Sequence, residues 1–177
     1  MKTLYFFFAL GLLVGPLYAQ KARDSKASDT IYNAPLNIPL LLAGNFGELR
    51  SDHFHSGLDI KTKHQQGLKV FSIADGYVSR IKISHWGYGK VLYINHYNGT
   101  SSVYAHLQKF SPEIEKFVQE KQYGNKSYTI QLFPKKDSLK VFKDSPIAYS
   151  GNSGGSTAPH LHFEMRKTGT AIAINPL

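Results

Sequence analysis

Between Leu68 and Leu107 the chain breaks into four short strand-like runs: Leu68–Ala74, Tyr77–Ser84, Lys90–His96 and Ser101–Leu107. The breaks are turn chemistry: Asp75-Gly76, Gly87-Tyr88-Gly89 and Asn98-Gly99. Asn98-Gly99 is the sharpest signal, because tight hairpin turns need left-handed backbone that Asn and Gly adopt at little cost. Breaks this short favour antiparallel pairing, since parallel strands need a long crossover. Tyr77, Val78, Ile81 and Ile83 repeat mostly every second residue, the mark of a half-buried strand. Two further runs, Ser127–Phe133 and Pro146–Ser150, precede a glycine-rich loop over 150–159 and a last strand, His160–Arg166. One helix is expected over 111–122, with Ser111 as cap, Pro112 in the first turn and Glu113 and Glu115 at its positive end. The pattern predicts an all-β fold of short antiparallel strands with one short helix.

At 177 residues and 42% apolar, the chain is long enough for one domain with a real core. Residues 1–19 read as a secretory leader: Lys2, an uncharged run, and a small residue at Ala19. The rival is an uncleaved membrane anchor, which Gly11, Gly15 and Pro16 weaken. Residues 20–40 read as a tether, and 41–177 as the domain. The stretch 111–144 reads as an insertion, either a lid or substrate-selecting element or a solvated face. Its Lys135, Lys136, Lys140 and Lys143 allow contact with an anionic polymer.

The chain has no cysteine, so disulfide scaffolds, iron–sulfur clusters, cysteine nucleophiles and cysteine zinc fingers are excluded. Any metal site must use His, Asp or Glu. The net charge of +9 suits an anionic partner without naming it. Nucleic acid is not expected, because no basic helix or RNA-binding signature accompanies the charge.

The 8 histidines concentrate in three places: His53 and His55 ahead of Asp59, His106 after Tyr104, and the pair His160 and His162. On a strand, residues two apart share a face, so His160 and His162 point into one groove. Two imidazoles and a carboxylate make a nitrogen–oxygen site that suits Zn²⁺ and leaves a fourth position for water. From pattern alone either His53 or His55 serves. His64, His85 and His96 read as ordinary surface or turn residues. A phosphate-cradling reading of Gly151–Gly155 fails, because no Lys-Ser/Thr follows.

In order along the chain stand His55-x-x-x-Asp59 with Gly57 inside, Tyr104-x-His106-Leu107, and Ser150-Gly151-Asn152-x-Gly154 leading to His160-Leu161-His162-Phe163-Glu164. The set, over roughly Gly44 to Arg166, resembles the three signatures of the lysostaphin-type (LytM-like) zinc metalloendopeptidases. The resemblance implies the antiparallel sandwich and groove of that family, the duplicated hybrid motif. It implies one Zn²⁺ per chain held by His55, Asp59 and His162, with His106 and His160 as catalytic histidines, and it settles His55 over His53. It also implies a substrate: peptide bonds of peptidoglycan stems or cross-links, cut by an exported monomer that meets membrane only through an uncleaved leader. Asn45 stands where some latent relatives supply a fourth ligand; the simpler reading is a turn residue beside Gly44 and Gly47. A non-catalytic wall-binding or amidase-activating module is the competing function.

Overall fold

Val78 and Ile81 are three residues apart, so strict alternation would send them to opposite faces of a strand. Both are fully buried. The strand that carries them, β4 (Gly76–Ile83), slips register against β5 (Lys90–His96) between Val78 and Arg80. This bulge resets the alternation and keeps both side chains in the core.

The structure is a computed structural model that describes residues 32–177. The expected leader, and the tether ahead of Tyr32, lie outside those residues. In chain order, β1 (Leu42–Gly44), β2 (Leu58–Lys61) and β3 (Lys69–Phe71) precede β4 and β5. Then come β6 (Thr100–Ala105), β7 (Lys109–Phe110), helix α1 (Pro112–Asn125), β8 (Ile130–Leu132), β9 (Lys140–Val141), β10 (Pro146–Tyr149), β11 (His160–Lys167) and β12 (Ala173–Ile174). A nine-stranded sheet runs β1-β2-β11-β6-β5-β4-β8, with β12 on β11 and β9 on β4. A three-stranded sheet, β3-β10-β7, contributes Val70, Ile147, Ala148 and Phe110 to the same core as Ile60, Tyr104 and Leu161 of the large sheet. Every strand pair is antiparallel. The fold is therefore the all-β arrangement that the turn spacing predicts.

Three differences from expectation stand out. The folded body takes in residues ahead of the expected boundary at 41. Leu36 is buried and bridges Val70, and the Phe71 amide donates to the Pro35 carbonyl at 2.9 Å. The helix runs past 122 to Asn125 and stops where Lys126 turns left-handed, its amide returning to Tyr123. The stretch expected as an insertion lies away from the cleft: β8 and β9 extend the sheet beyond β4, at the flank opposite β1 and β2, and none of residues 111–144 lines the cleft described next.

Candidate metal centre

β11 lies between β2 and β6 at its His160 end, and its register sets His162 opposite Asp59 on one side and Ala105 on the other. His55 reaches the same point from the loop before β2. The three donor atoms form a small triangle. His55 Nε2 lies 3.2 Å from Asp59 Oδ1 and 3.0 Å from His162 Nδ1, and His162 Nδ1 lies 2.9 Å from Asp59 Oδ1. Among the described residues this is the group of His, Asp and Glu side chains placed to share an ion. A tetrahedral Zn²⁺ with bonds of about 2.0–2.2 Å spaces its ligand atoms about 3.3–3.5 Å apart, so the triangle needs only a slight expansion.

The outward atoms explain why the inward ones are free. His55 Nδ1–H donates to the Asn45 carbonyl at 2.8 Å, leaving Nε2 as a lone pair. His162 Nε2–H donates to Glu164 Oε1 at 2.8 Å, leaving Nδ1. Arg50 Nη2–H donates to Asp59 Oδ2 at 2.9 Å, leaving Oδ1. Second partners of this kind fix ring orientation and raise ligand basicity. The donor set, two imidazoles and one carboxylate with every other atom satisfied, fits zinc. Asn45 enters through its carbonyl, just ahead of the turn at Phe46–Gly47.

Glu164 is fully buried and gathers most of this support. Its Oε1 also accepts from Ser56 Oγ at 2.8 Å and from the Tyr88 hydroxyl, while Oε2 accepts Arg166 Nε and Nη2, both at 2.6 Å. Burial alone would raise its pKa, but the hydrogen bonds from His162 and Tyr88 hold it at about 2. Burial and the Glu164 charge together push the Tyr88 hydroxyl up to about 12, so it stays a donor. Its ring stacks on His162, centroids 5.1 Å apart. Burial pushes His162 down, but Asp59 and Glu164 outweigh it and raise its pKa. Asp59 is likewise raised by burial and drawn well below the carboxylate range by His160 and His162.

The two remaining histidines stand beside the triangle without entering it. His106 follows β6 in a left-handed conformation, φ 57°, and donates Nδ1–H to the Ser153 carbonyl at 2.9 Å. Burial pushes its pKa down to about 4, so it is neutral at pH 7 with Nε2 open. His160 donates Nδ1–H to the Ala158 carbonyl at 2.8 Å and turns Nε2 toward Asp59 Oδ1, 3.5 Å away. The rings of His106 and His160 are 4.7 Å apart. All five residues border one cleft of about 790 Å³. His53 sits exposed at its rim, bonded to Asp52, and takes no part in the triangle.

One histidine corrects the sequence reading. His96 is buried, not at the surface; its Nε2 lies 2.8 Å from Ser102 Oγ. It shares the inward phase of Leu92 and Ile94 on β5, a signal that was available. The same alternation runs His160, His162, Glu164, Arg166 down β11, so the two charged residues that support the centre were also readable there. Arg50 and Ser56 carry no such signal, because loops place them.

A largely buried His/Asp/His triangle with two further imidazoles beside it, in a cleft on an antiparallel sheet, is a candidate metal site. The sequence profile of Peptidase family M23 matches residues 53–125 and 123–176, and the chain belongs to that family. It is 32% identical over 129 residues to the DD-carboxypeptidase/endopeptidase Mpg of Neisseria meningitidis, covering 73% of this chain and 23% of that protein. It is 30% identical over 113 residues to the murein hydrolase activator EnvC of Escherichia coli, covering 63% and 21%. The chain thus spans less than a quarter of the length of these curated relatives. The fold matches the catalytic domain of the antimicrobial peptidase lysostaphin from Staphylococcus simulans with TM-score 0.57 at 22% identity, over 77% of this chain and 89% of that one.

Proposed function

We propose that the chain is an exported zinc endopeptidase that hydrolyses peptide bonds in peptidoglycan stems or cross-links. The complete site carries this reading: three donors with every outward atom held, and two further histidines in one cleft, His106 with Nε2 open and His160 with Nε2 3.5 Å from Asp59 Oδ1. His55, Asp59 and His162 would hold the ion. Zn²⁺ there supplies a water acidified to a pKa of about 7 and polarisation of the scissile carbonyl. His106, kept neutral by burial, accepts the proton of the attacking water at Nε2. The His106 imidazolium returns that proton to the leaving amine as the bond breaks, and His160, its ring 4.7 Å away, borders the same side of the cleft. Two neutral imidazoles and one carboxylate would leave a bound Zn²⁺ at net +1, which would keep it electrophilic.

Peptidoglycan as substrate is supported by the names of the relatives, a DD-carboxypeptidase/endopeptidase and a murein hydrolase activator. Export is supported by the leader pattern of residues 1–19 and by the wall location of such a substrate. The likeness to EnvC favours a second reading, a non-hydrolytic activator; the undamaged site speaks against it. Metal analysis of the purified protein and mass spectrometry of fragments from isolated sacculi test the two. Bound zinc with released stem peptides is expected. Protein that stays inert after zinc is added overturns the hydrolase reading.

A further inference from the structure

On β2 and β11 the metal rung pairs Asp59 with His162, and the next rung on the same face pairs Lys61 with His160. Asp59 and Lys61 are two apart, so they share the cleft face of β2, while Leu58 and Ile60 alternate into the core. The chain then bends through Lys63 and His64, both left-handed at φ 53° and 60°. Such backbone is costly in residues other than glycine and persists only where its surroundings impose it. Here the Gln65 amide donates to the Thr62 carbonyl at 2.9 Å, and Thr62 Oγ–H donates to the Gln65 carbonyl at 2.7 Å. The braced turn sets Lys63 in the cleft wall beside Lys61.

The cleft is short of negative charge. Among the described residues its lining includes Arg50, Lys61 and Lys63, and its one carboxylate is Asp59. Asp59 is committed to Arg50 and His162, and Arg50 also reaches Glu48. Lys61 and Lys63 are exposed and have no ion pair or hydrogen-bonded side-chain partner among the described residues. Like-signed charge in a concave wall concentrates field on whatever enters.

We propose that Lys61 and Lys63 form a subsite for a free carboxylate on the residue next to the scissile bond. The proposal rests on the peptidase reading above and adds the chemistry of the substrate. The carboxylate comes either from a chain end or from a side chain, and two matched peptide pairs separate these sources. One pair ends, just past the scissile bond, in a carboxylate or an amide. The other has capped ends and carries a side-chain carboxylate or its amide.

With zinc-loaded enzyme, kcat/KM for acid over amide is expected to be on the order of tenfold in one pair, mostly through KM. The pair that shows it names the source. Lys61→Gln with Lys63→Gln brings that ratio toward one, Lys61→Arg with Lys63→Arg keeps it, and 1 M NaCl, with a Debye length of about 3 Å, erodes it. Equal rates for acid and amide in both pairs overturn the proposal, as does a ratio that survives the double Gln variant. Binding of the same peptides to zinc-free protein, read by fluorescence anisotropy, keeps the two readings apart. Tighter acid binding without any cleavage upholds the subsite and sinks the hydrolase; no preference in binding or cleavage sinks the subsite.

Discussion

Replacing Glu164 by Gln removes one charge and almost no volume. The carboxylate accepts three donors on Oε1 and two guanidinium N–H groups on Oε2. An amide offers one oxygen, so its NH₂ must face either the His162, Ser56 and Tyr88 donors or Arg166. Removing one partner of a buried ion pair costs about 3–5 kcal/mol. The Arg166 side chain is 20% exposed against 0% for Glu164, so water screens part of that and the lower end, about 3 kcal/mol, is expected. His162 also loses its charged acceptor, and loss of such a partner weakens metal binding about 10–100-fold. At fixed free zinc this removes about 1.4–2.8 kcal/mol of zinc-dependent stabilisation. Urea unfolding of metal-free protein reads the first quantity, and zinc titration against a competing chelator reads the second. Adding Arg166→Leu recovers part of the folding loss, since the unpaired guanidinium is gone, and none of the zinc loss. If Glu164→Gln binds zinc within twofold of the parent, or unfolds with a loss under about 1 kcal/mol, Glu164 does not hold the centre as argued.

Three other outcomes follow from the same geometry. His162→Ala should lose zinc and turnover together by metal analysis, whereas His106→Ala should keep zinc and lose turnover on sacculi. His106 has a folded pKa depressed to about 4, so it stabilises least at low pH: its contribution is intact above about 6.5 and falls as pH drops toward 4, by up to about 3 kcal/mol. Metal-free His106→Asn, whose side chain tolerates the left-handed backbone, should therefore lose less stability than the parent between those pH values in denaturant titrations; parallel curves would refute the assignment. A methyl group at Gly57 would overlap the Phe163 carbonyl and meet Glu164 Cγ at 2.8 Å, so Gly57→Ala should cost about 1–3 kcal/mol in thermal or urea unfolding.

Much of the fold was legible because β structure leaves a two-residue signature and its turns leave Gly, Asn and Asp. Lys90–His96 was read to the residue. β1, β7, β9 and β12 went unread, being two or three residues long and too short for any period to register. β2 went unread for another reason: Asp59 and Lys61 put charge on its cleft face, and the pattern looked like a loop. The site residues were legible through ordered motifs, and the structure brings all five together. Their supports divide by origin. Glu164 and Arg166 follow from strand alternation. Arg50, Ser56 and the Asn45 carbonyl depend on how loops fold back, which no local spacing encodes.

The pairing of β2 with β11 joins residues about a hundred positions apart, as the contacts from His162 to His55 and Asp59 record. A nascent chain that has not yet yielded its final long strand therefore owns half a centre: His55 and Asp59 with nothing to close on. Fragments that stop short of His162 keep two of the three donors and cannot close the triangle, however well the rest of the sheet forms.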